Sequence, residues 1–363
     1  MASRSTLQSI QALRAVAIFL VLLLHLVSLA AHYRPDDVAH VGWAGIGHAG
    51  VDLFFVISGF IMYLIGHRQS AGWSAAGRFL YRRAARVYLP YWLWFLVAFL
   101  VYLSAPQIML LKPGQITDLF HSFLLIPTWT PQLLPVSWTL KYELYFYAVC
   151  ALILFLPGRY RLSAASGWLL YMLTGQWVCS QPPMAPCEPA LFLTMHPIMF
   201  EFAMGALVGF LYEQKTYPSW ASRYLFGVGV LVLLAVFVVY VFFAIDLDAN
   251  AWNRVVLFGL PAALIVFGAT LAERDQQARV SPWLVAVGNA SYSYYLSHLI
   301  VIQMVFWLLA PIAWFPTLLM MGIACAVSLL VAGFGYRYAE QPLLRFGYRA
   351  FSRQPSGVSG QPS

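Results

Sequence analysis

The chain has 363 residues, of which 61% are hydrophobic and only 9% carry a charge. Soluble domains are typically about 45–50% apolar and about 25% charged, so this composition excludes a soluble enzyme as well as disordered and fibrous proteins. The 21 Lys and Arg residues exceed the 13 Asp and Glu residues, which gives a formal net charge of +8. In a membrane protein such an excess is typical of cytoplasmic loops rather than of nucleic-acid binding.

Long apolar segments run through almost the whole chain, and a membrane-spanning helix needs about 20 such residues. From these segments we predict an all-α polytopic membrane bundle of about ten transmembrane helices. In chain order the predicted spans cover residues 10–31, 48–67, 88–105, 136–157, 163–179, 195–212, 222–246, 252–272, 288–310 and 316–337. Residues 1–350 form one integral membrane domain in this prediction, and the polar tail 351–363 is expected to be disordered.

The distribution of cations predicts the orientation of the bundle. With the N-terminus in the cytoplasm, 16 of the 21 Lys and Arg residues fall in inner loops, whereas only Arg34, Lys112 and Arg254 fall in outer loops. Because cytoplasmic loops are enriched in Lys and Arg, we predict that both termini are cytoplasmic.

The four cysteines predict no metal site. Cys150 and Cys325 lie within spans, where we expect them to pack as small apolar side chains. Cys179 and Cys187 flank an outer loop, and their spacing permits a disulfide without requiring one. No CxxC motif or cluster of His and Cys indicates a metal.

Ionisable side chains within spans cost roughly 2.5–3.5 kcal/mol each in lipid, so each is a functional candidate. In the first span, Arg14 and His25 are eleven positions apart, which returns them to nearly one helix face, about 16 Å apart. No polar side chain lies between them. We interpret the pair as the two ends of an apolar channel. The alternatives are that Arg14 reaches the cytoplasmic surface and that His25 is hydrogen-bonded within the bundle.

Two carboxylates in later spans are further candidates. Asp52 is expected at a depth similar to that of His25, where it could orient the imidazole; the alternative is an acid at a helix end. Glu143 lies in an aromatic-rich segment and is expected to point inward, as a functional group or in an internal ion pair with an arginine. Lys141 is expected to extend outward.

Glu201 and His298 are equally compatible with structural and functional roles. Glu201 could pair with a buried cation. His298 follows a run of Ser and Tyr in GNASYSYYLSHLI, whose hydroxyl groups could line a polar groove or hold helices together.

The basic segment RFLYRRAARVYLPYW precedes the third span, at its cytoplasmic side. Its arginines could meet anionic lipid headgroups or bind a phosphorylated ligand. A phosphate-binding rim, an apolar channel and a deep histidine together suit acyl-coenzyme A, whose thin pantetheine arm could carry a thioester toward His25. The imidazole could then deprotonate a sugar hydroxyl or carry the acyl group itself.

Six segments resemble the motifs of the acyltransferase-3 family of integral membrane acyltransferases. In chain order they are SIQALRAVAIFLVLLLH, GVDLFFVISGF, RRAARVYLPYW, SWTLKYELYFY, GNASYSYYLSHLI and YRYAEQPLLR. They follow the family's order and cover nearly the whole chain. The resemblance implies an acetyl- or acyl-CoA donor and transfer of the acyl group to a hydroxyl, usually of a glycan or glycolipid.

The resemblance also implies roles for particular residues, with Arg14 and His25 as the essential pair. The expected catalytic residues are His25, Asp52 and Glu143; the expected acyl-CoA-binding residues are Arg14, Arg82, Arg83 and Arg86; the expected substrate or motif residues are His298, Tyr292 and Trp138. The opening segment is most similar to exopolysaccharide O-acetyltransferases of Gram-negative bacteria. We therefore expect the bacterial inner membrane as location and acyl-CoA, a glycan or glycolipid acceptor and polysaccharide-assembly machinery as partners, with no nucleic acid.

Two other classes of protein fit part of the pattern. A proton-coupled transporter or flippase could use Asp52, Glu143 and His298 as a proton relay, but the sequence contains no inverted repeat. A scaffold without catalytic activity would leave the ionisable groups in the spans unexplained.

Overall fold

The structure, a computed structural model, describes residues 7–38, 41–109, 118–179, 188–214, 217–243, 251–277 and 279–352. Helices joined by short turns make up these ranges, and no strand occurs within them. This confirms the predicted all-α polytopic bundle. Cys187 and residues 353–363 lie outside the described ranges, as does the side chain of Cys179, so the disulfide and most of the predicted tail stay predictions.

Fifteen α-helices form the described part of the chain. The first eight are α1 (Gln8–Tyr33), α2 (His48–Gly66), α3 (Trp73–Ser104), α4 (Leu119–Leu124), α5 (Trp138–Phe155), α6 (Gly158–Cys179), α7 (Pro189–Met195) and α8 (Met199–Gln214). The others are α9 (Ser219–Phe243), α10 (Ala251–Arg254), α11 (Leu260–Arg274), α12 (Pro282–Asn289), α13 (Ser291–Leu309), α14 (Thr317–Gly335) and α15 (Gln341–Ser352). Two π-helical segments, Val255–Gly259 and Tyr336–Glu340, continue α10 and α14.

Nine stretches of described helix are long and apolar enough to cross a membrane, and each matches one of the predicted spans. The remaining prediction, residues 163–179, lies in α6, which has 22 residues but is not one of the nine. Arg159 and Arg161 lower the average hydropathy of its first turns, and Ser, Gly, Thr, Gln and Trp residues lower that of the rest of the helix. Helix α3 begins 15 residues before the predicted span, so the basic segment is helical and continuous with it.

Helix α1 lies in the centre of the bundle, in contact with α2, α11, α12, α13 and α14. Its N-terminus is capped by Glu273 at the end of α11. The two carboxylate oxygens of Glu273 accept hydrogen bonds from the backbone N–H groups of Gln8 and Ser9, both at 2.8 Å. A carboxylate here satisfies N–H groups that have no partner within the helix and opposes the positive end of the helix dipole.

The other end of α1 is tied to α13. Arg34, the residue after α1, donates hydrogen bonds to the carbonyl oxygens of Ala310 and Ile312, each at 2.7 Å, just beyond the end of α13. We call the end of the bundle at Glu273 the inner end and the end at Arg34 the outer end. The sequence predicts that the inner end faces the cytoplasm.

Helices α2 and α8 cross with their backbones in contact, and glycine makes this approach possible. A Cβ atom on Gly59 would collide with the carbonyl oxygen of Phe202, and one on Gly205 with that of Val56. This crossing fixes α2, which carries Asp52, against α8, which carries Glu201. The close approach therefore places two carboxylates from different spans in one buried region.

Candidate functional site

Two cavities in the helix bundle contain most of the predicted site residues. The first, which we call the inner cavity, has a volume of about 100 Å³. Its polar lining residues are Arg14, Ser58, Arg83, Arg86, Thr139, Glu143, Tyr147, Ser291, Tyr292 and Tyr295. Helices α1, α2, α3, α5 and α13 supply them. The structure thus brings three of the four predicted acyl-CoA-binding arginines together with Glu143 and Tyr292.

Positive charge dominates the inner cavity. Arg14 lies within electrostatic reach of Arg86, Glu143 and Glu340. The carboxylate of Glu143 accepts a hydrogen bond from the hydroxyl of Tyr147, a neighbour one turn along α5. Three guanidinium groups thus face two carboxylates, which leaves an attractive site for an anion.

Two further contacts fix the walls of the inner cavity. The hydroxyl of Tyr292 donates to the carbonyl oxygen of Val87 at 2.8 Å and joins α13 to α3. The carboxylate of Glu340 lies 4.0 Å from the guanidinium of Arg86 and accepts a hydrogen bond from Ser293 at 2.6 Å. Glu340 ends a π-helical segment, a local distortion that is frequent at functional sites.

A second group of arginines adjoins the inner cavity. A cleft between α2 and α3 is lined by Ile65, Gln69, Ser70, Ala75, Arg78, Phe79, Arg82 and Arg83. We call it the arginine cleft. Arg83 lines both spaces, so the fourth predicted arginine, Arg82, lies on a continuous basic surface with the other three. Guanidinium groups at this density match the phosphate oxygens of a polyanion.

The second cavity, which we call the outer cavity, lies toward the outer end and has a volume of about 450 Å³. Its polar and aromatic lining residues are His25, His48, Trp138, Tyr142, His196, Arg254 and Tyr295. It contains the predicted residues His25 and Trp138. Imidazole and aromatic rings predominate here, whereas arginine predominates in the inner cavity.

His25 forms a pair with His298, although 273 residues separate them in the chain. Nδ1 of His298 lies 2.8 Å from the carbonyl oxygen of Tyr295, which can only accept, so this nitrogen carries its hydrogen and Nε2 does not. Nε2 of His298 lies 3.3 Å from Nδ1 of His25, which also lies 2.8 Å from the carbonyl oxygen of Val21. These partners assign the hydrogen of His25 to Nδ1 and leave its Nε2 as a base.

The expectation that Asp52 orients His25 is wrong. Asp52 is fully buried, and its two carboxylate oxygens accept hydrogen bonds from Nε and a terminal nitrogen of Arg254 at 2.8 and 3.2 Å. Arg254 also lies over the ring of Trp138, at 5.6 Å from the ring centroid. A buried carboxylate requires a cation, and the guanidinium satisfies this requirement better than a neutral imidazole does.

Glu201 lies beside this ion pair. It is fully buried and within electrostatic reach of both Asp52 and Arg254. Its carboxyl group lies within hydrogen-bonding distance of that of Asp52. The predicted buried cation near Glu201 is therefore Arg254, which it shares with Asp52.

The predicted channel from Arg14 to His25 is divided between the two cavities. Arg14 lines the inner cavity and His25 the outer cavity, and the two cavities adjoin at a shared wall formed by Val51 and Tyr295, which line both. The hydroxyl of Tyr295 bonds to the carbonyl oxygen of Val136 at 2.9 Å and to the hydroxyl of Thr139 at 2.8 Å. Tyr295 belongs to α13, so a pattern within α1 alone does not reveal which side chain lies where the two cavities meet.

Sequence reasoning missed several residues of the two cavities. The charge distribution groups Arg254 with the outer-loop cations, but the residue also lies at the start of the predicted span 252–272, which is a signal for burial. His48 and His196 lie at the starts of two predicted spans, where an imidazole is itself a signal, and Glu340 lies in the motif YRYAEQPLLR, but none of the three has a predicted role. Lys141 is 8% exposed and does not extend outward as predicted. Among the described residues no group of three or more His, Cys, Asp or Glu could hold a metal ion.

Comparison with known proteins agrees with this architecture. The sequence profile of the family described as "Acyltransferase domain", acyltransferase 3, matches residues 7–337. The chain is 32% identical over 339 residues to "Exopolysaccharide production protein ExoZ" of Rhizobium meliloti (strain 1021), an alignment that covers 87% of this chain and 95% of that protein. No solved structure matches the chain. The chain therefore belongs to the acyltransferase-3 family of membrane acyltransferases.

Proposed function

We propose that this protein transfers an acyl group, acetyl in the simplest case, from acyl-CoA to a hydroxyl of a polysaccharide repeat unit or lipid-linked glycan in the bacterial inner membrane. The observation that carries the proposal is the junction of an arginine-lined cavity and a histidine-lined cavity at one shared wall. Similarity to a protein named for exopolysaccharide production supports the class of acceptor.

The donor would bind at the inner end. Its phosphates would lie in the arginine cleft against Arg78, Arg82 and Arg83, because guanidinium groups bind phosphate oxygens in pairs. Its pantetheine arm would enter the inner cavity past Arg83 and extend along α1 to the wall at Tyr295. The thioester would then meet the acceptor at Tyr295, where the two cavities adjoin.

The acceptor hydroxyl would lie in the outer cavity beside His25. Nε2 of His25 takes the proton as the hydroxyl oxygen attacks the thioester carbonyl carbon. The tetrahedral intermediate collapses, the C–S bond breaks, and the coenzyme A thiolate takes the proton back from the imidazolium. The products are an ester and free coenzyme A. Attack by Nε2 itself, to form an acyl-histidine that the hydroxyl then cleaves, uses the same nitrogen.

Transfer of labelled acetyl from acetyl-CoA to a base-deacylated lipid-linked glycan fraction, measured with purified protein in detergent, tests the proposal. We expect His25→Ala and Arg14→Ala each to lower the rate by about 100-fold or more. Binding separates their roles, since His25→Ala should still bind acetyl-CoA whereas Arg14→Ala should bind it weakly. Rapid quenching and a search for label on the protein distinguish the base mechanism from the acyl-histidine.

Two exposed residues provide matched controls. His32 lies on the same helix as His25, and Arg159 lies at the inner end. His32→Ala and Arg159→Ala should retain the rate of the parent protein. Normal transfer by the His25 variant, or the absence of acetyl-CoA binding by the parent protein, would contradict the proposal.

A further inference from the structure

A row of aromatic rings leads from the outer surface into the outer cavity. It begins at Trp129, whose side chain is 59% exposed, and continues through Phe192, His196 and Tyr142. The successive ring centroids are 5.2, 5.1 and 5.3 Å apart. Tyr142 then meets Trp138 at 5.9 Å. Of these five residues, the last three line the outer cavity, so the row joins the cavity to the surface without a gap.

Hydrogen bonds that involve α4 and α3 hold the loop that carries Trp129 in place. The backbone N–H of Leu133 donates to the hydroxyl of Ser122 at 3.1 Å, and the carbonyl oxygen of Ser122 accepts from the hydroxyl of Tyr91. On either side of the tryptophan, the hydroxyls of Thr128 and Thr130 lie 3.0 Å apart. An exposed ring on a fixed loop, flanked by hydroxyl groups, is organised before any ligand arrives.

The chemistry of this row fits sugar rings. One face of a pyranose carries C–H groups, which meet the negative face of an aromatic ring, while its hydroxyls face polar neighbours. The row has no net charge to attract an anion, because its rings are neutral and Arg254, the cation that lies over Trp138, is paired with Asp52. A neutral or weakly charged glycan chain matches these features better than a phosphorylated ligand does.

Interfacial tryptophan is common in membrane proteins, and Trp314 illustrates that ordinary role. Trp314 is 79% exposed in the turn between α13 and α14, and its ring neighbour is Phe315, which does not line either cavity. Trp129 differs because its ring neighbours lead into the outer cavity. The continuity of the row, and not exposure, distinguishes the two tryptophans.

We propose that Trp129 and Phe192 form an outer subsite for the sugar residues of a glycan next to the one that is acylated. This inference rests on the proposed function, since it places the acceptor in the outer cavity. It implies that the protein acylates an oligosaccharide or polymer in preference to a monosaccharide.

The test compares acceptors of two lengths, both made from the producing cell's own exopolysaccharide after base deacylation. One is a fraction of about eight sugars and the other is its complete hydrolysate to monosaccharides. With the longer acceptor, Trp129→Ala should raise KM about five- to tenfold, in line with the loss of one ring-stacking contact, and leave kcat unchanged. With monosaccharides neither constant should change, and Trp314→Ala should change nothing.

Binding without transfer separates this inference from the proposed function. Titration of the longer fraction into the purified protein, without acyl-CoA, should show affinity that Trp129→Ala reduces and Trp314→Ala retains. If that difference holds but no acceptor is ever acylated, the proposed function fails and the subsite stands. Equal binding by the Trp129 variant and the parent, or an equal change in KM for both lengths of acceptor, would overturn the subsite.

Discussion

The inner and outer cavities adjoin each other but use charge in opposite ways. In the inner cavity Arg14, Arg83 and Arg86 outnumber the neighbouring carboxylates, and the arginine cleft adds further cations. In the outer cavity the guanidinium of Arg254 is bound by both oxygens of Asp52. The inner cavity therefore favours an anion, whereas the outer cavity offers ring stacking and hydrogen bonds to an uncharged ligand.

The difference would let one bundle hold the two proposed substrates at a single junction. Excess positive charge would attract the proposed phosphorylated donor from a distance, and this effect would weaken with added salt. Imidazole and aromatic rings act only at contact, so they would select the shape of the proposed acceptor. Only Val51 and Tyr295 line both cavities, so the reacting groups would meet there while the rest of each ligand stayed in the environment that suits it.

The largest effect should come from removing the cation of the outer cavity. Arg254→Met would leave Asp52 and Glu201 buried together without a counter-ion, a change that costs about 3–5 kcal/mol for buried pairs. Asp52→Asn should cost less, because Glu201 remains beside the guanidinium. Thermal unfolding in detergent should therefore give a lower Tm for the Arg254 variant than for the Asp52 variant.

The double variant with both substitutions is the control for this pair. Its Tm should lie above that of Arg254→Met, since one of the two unpaired acids is gone. If Asp52→Asn proved the more damaging single change, the outer cavity would depend on the carboxylate itself and would not be defined by a neutralised cation.

A smaller effect is expected at the histidine pair. His298→Ala removes one of the two acceptors near the Nδ1 hydrogen of His25 and leaves the carbonyl oxygen of Val21, so kcat should fall by about tenfold at most as the ring becomes less firmly oriented. KM for acyl-CoA should not change, because His298 does not line the inner cavity. His298→Gln should regain part of the rate, since the amide oxygen of glutamine can replace the acceptor nitrogen.

Steady-state rates at several acyl-CoA concentrations separate these outcomes. A rise in KM for acyl-CoA with unchanged kcat would assign His298 to the donor side, against the division into two cavities. Equal rates for the Ala and Gln variants would show that the hydrogen bond to His25 does not matter.

The smallest effect on stability is expected at Glu273, which caps the N-terminus of α1. Residues of this helix line both cavities. Glu273→Gln loses the negative charge and replaces one accepting oxygen with an amide, so the free energy of unfolding should fall by about 1 kcal/mol. Activity should change little once temperature is low enough to keep the protein folded. Tm with and without 0.5 M salt provides the measurement, and an unchanged Tm would show that α1 is held by packing alone.

The fold was largely predictable from the sequence, because about 20 apolar residues are needed to cross a bilayer and the described spans coincide with predicted ones. Helix ends were less predictable. The arginines from Arg78 to Arg86 look like a loop by composition, but arginine has high helix propensity and α3 continues through them.

Several ionisable residues in or beside the two cavities were predictable as types but not as partners. A buried ionisable group is a candidate wherever it occurs in a span, which identified His25, Asp52, Glu143 and His298. Which of them meet depends on helices far apart in the chain, so the contact between His25 and His298 required the structure. The same limit explains the incorrect assignment of Asp52 to His25.

Helix α1 is fixed at its start by Glu273 and just beyond its end by Arg34, and it carries both Arg14 and His25. The rise between these two residues, about 16 Å, is set by the number of residues in one rigid helix. Under the proposed function, such a helix would set the distance that the donor has to span. Selection among thioesters would then depend on the length of the carrier arm, and a truncated carrier would occupy the arginines yet never present its carbonyl to the imidazole.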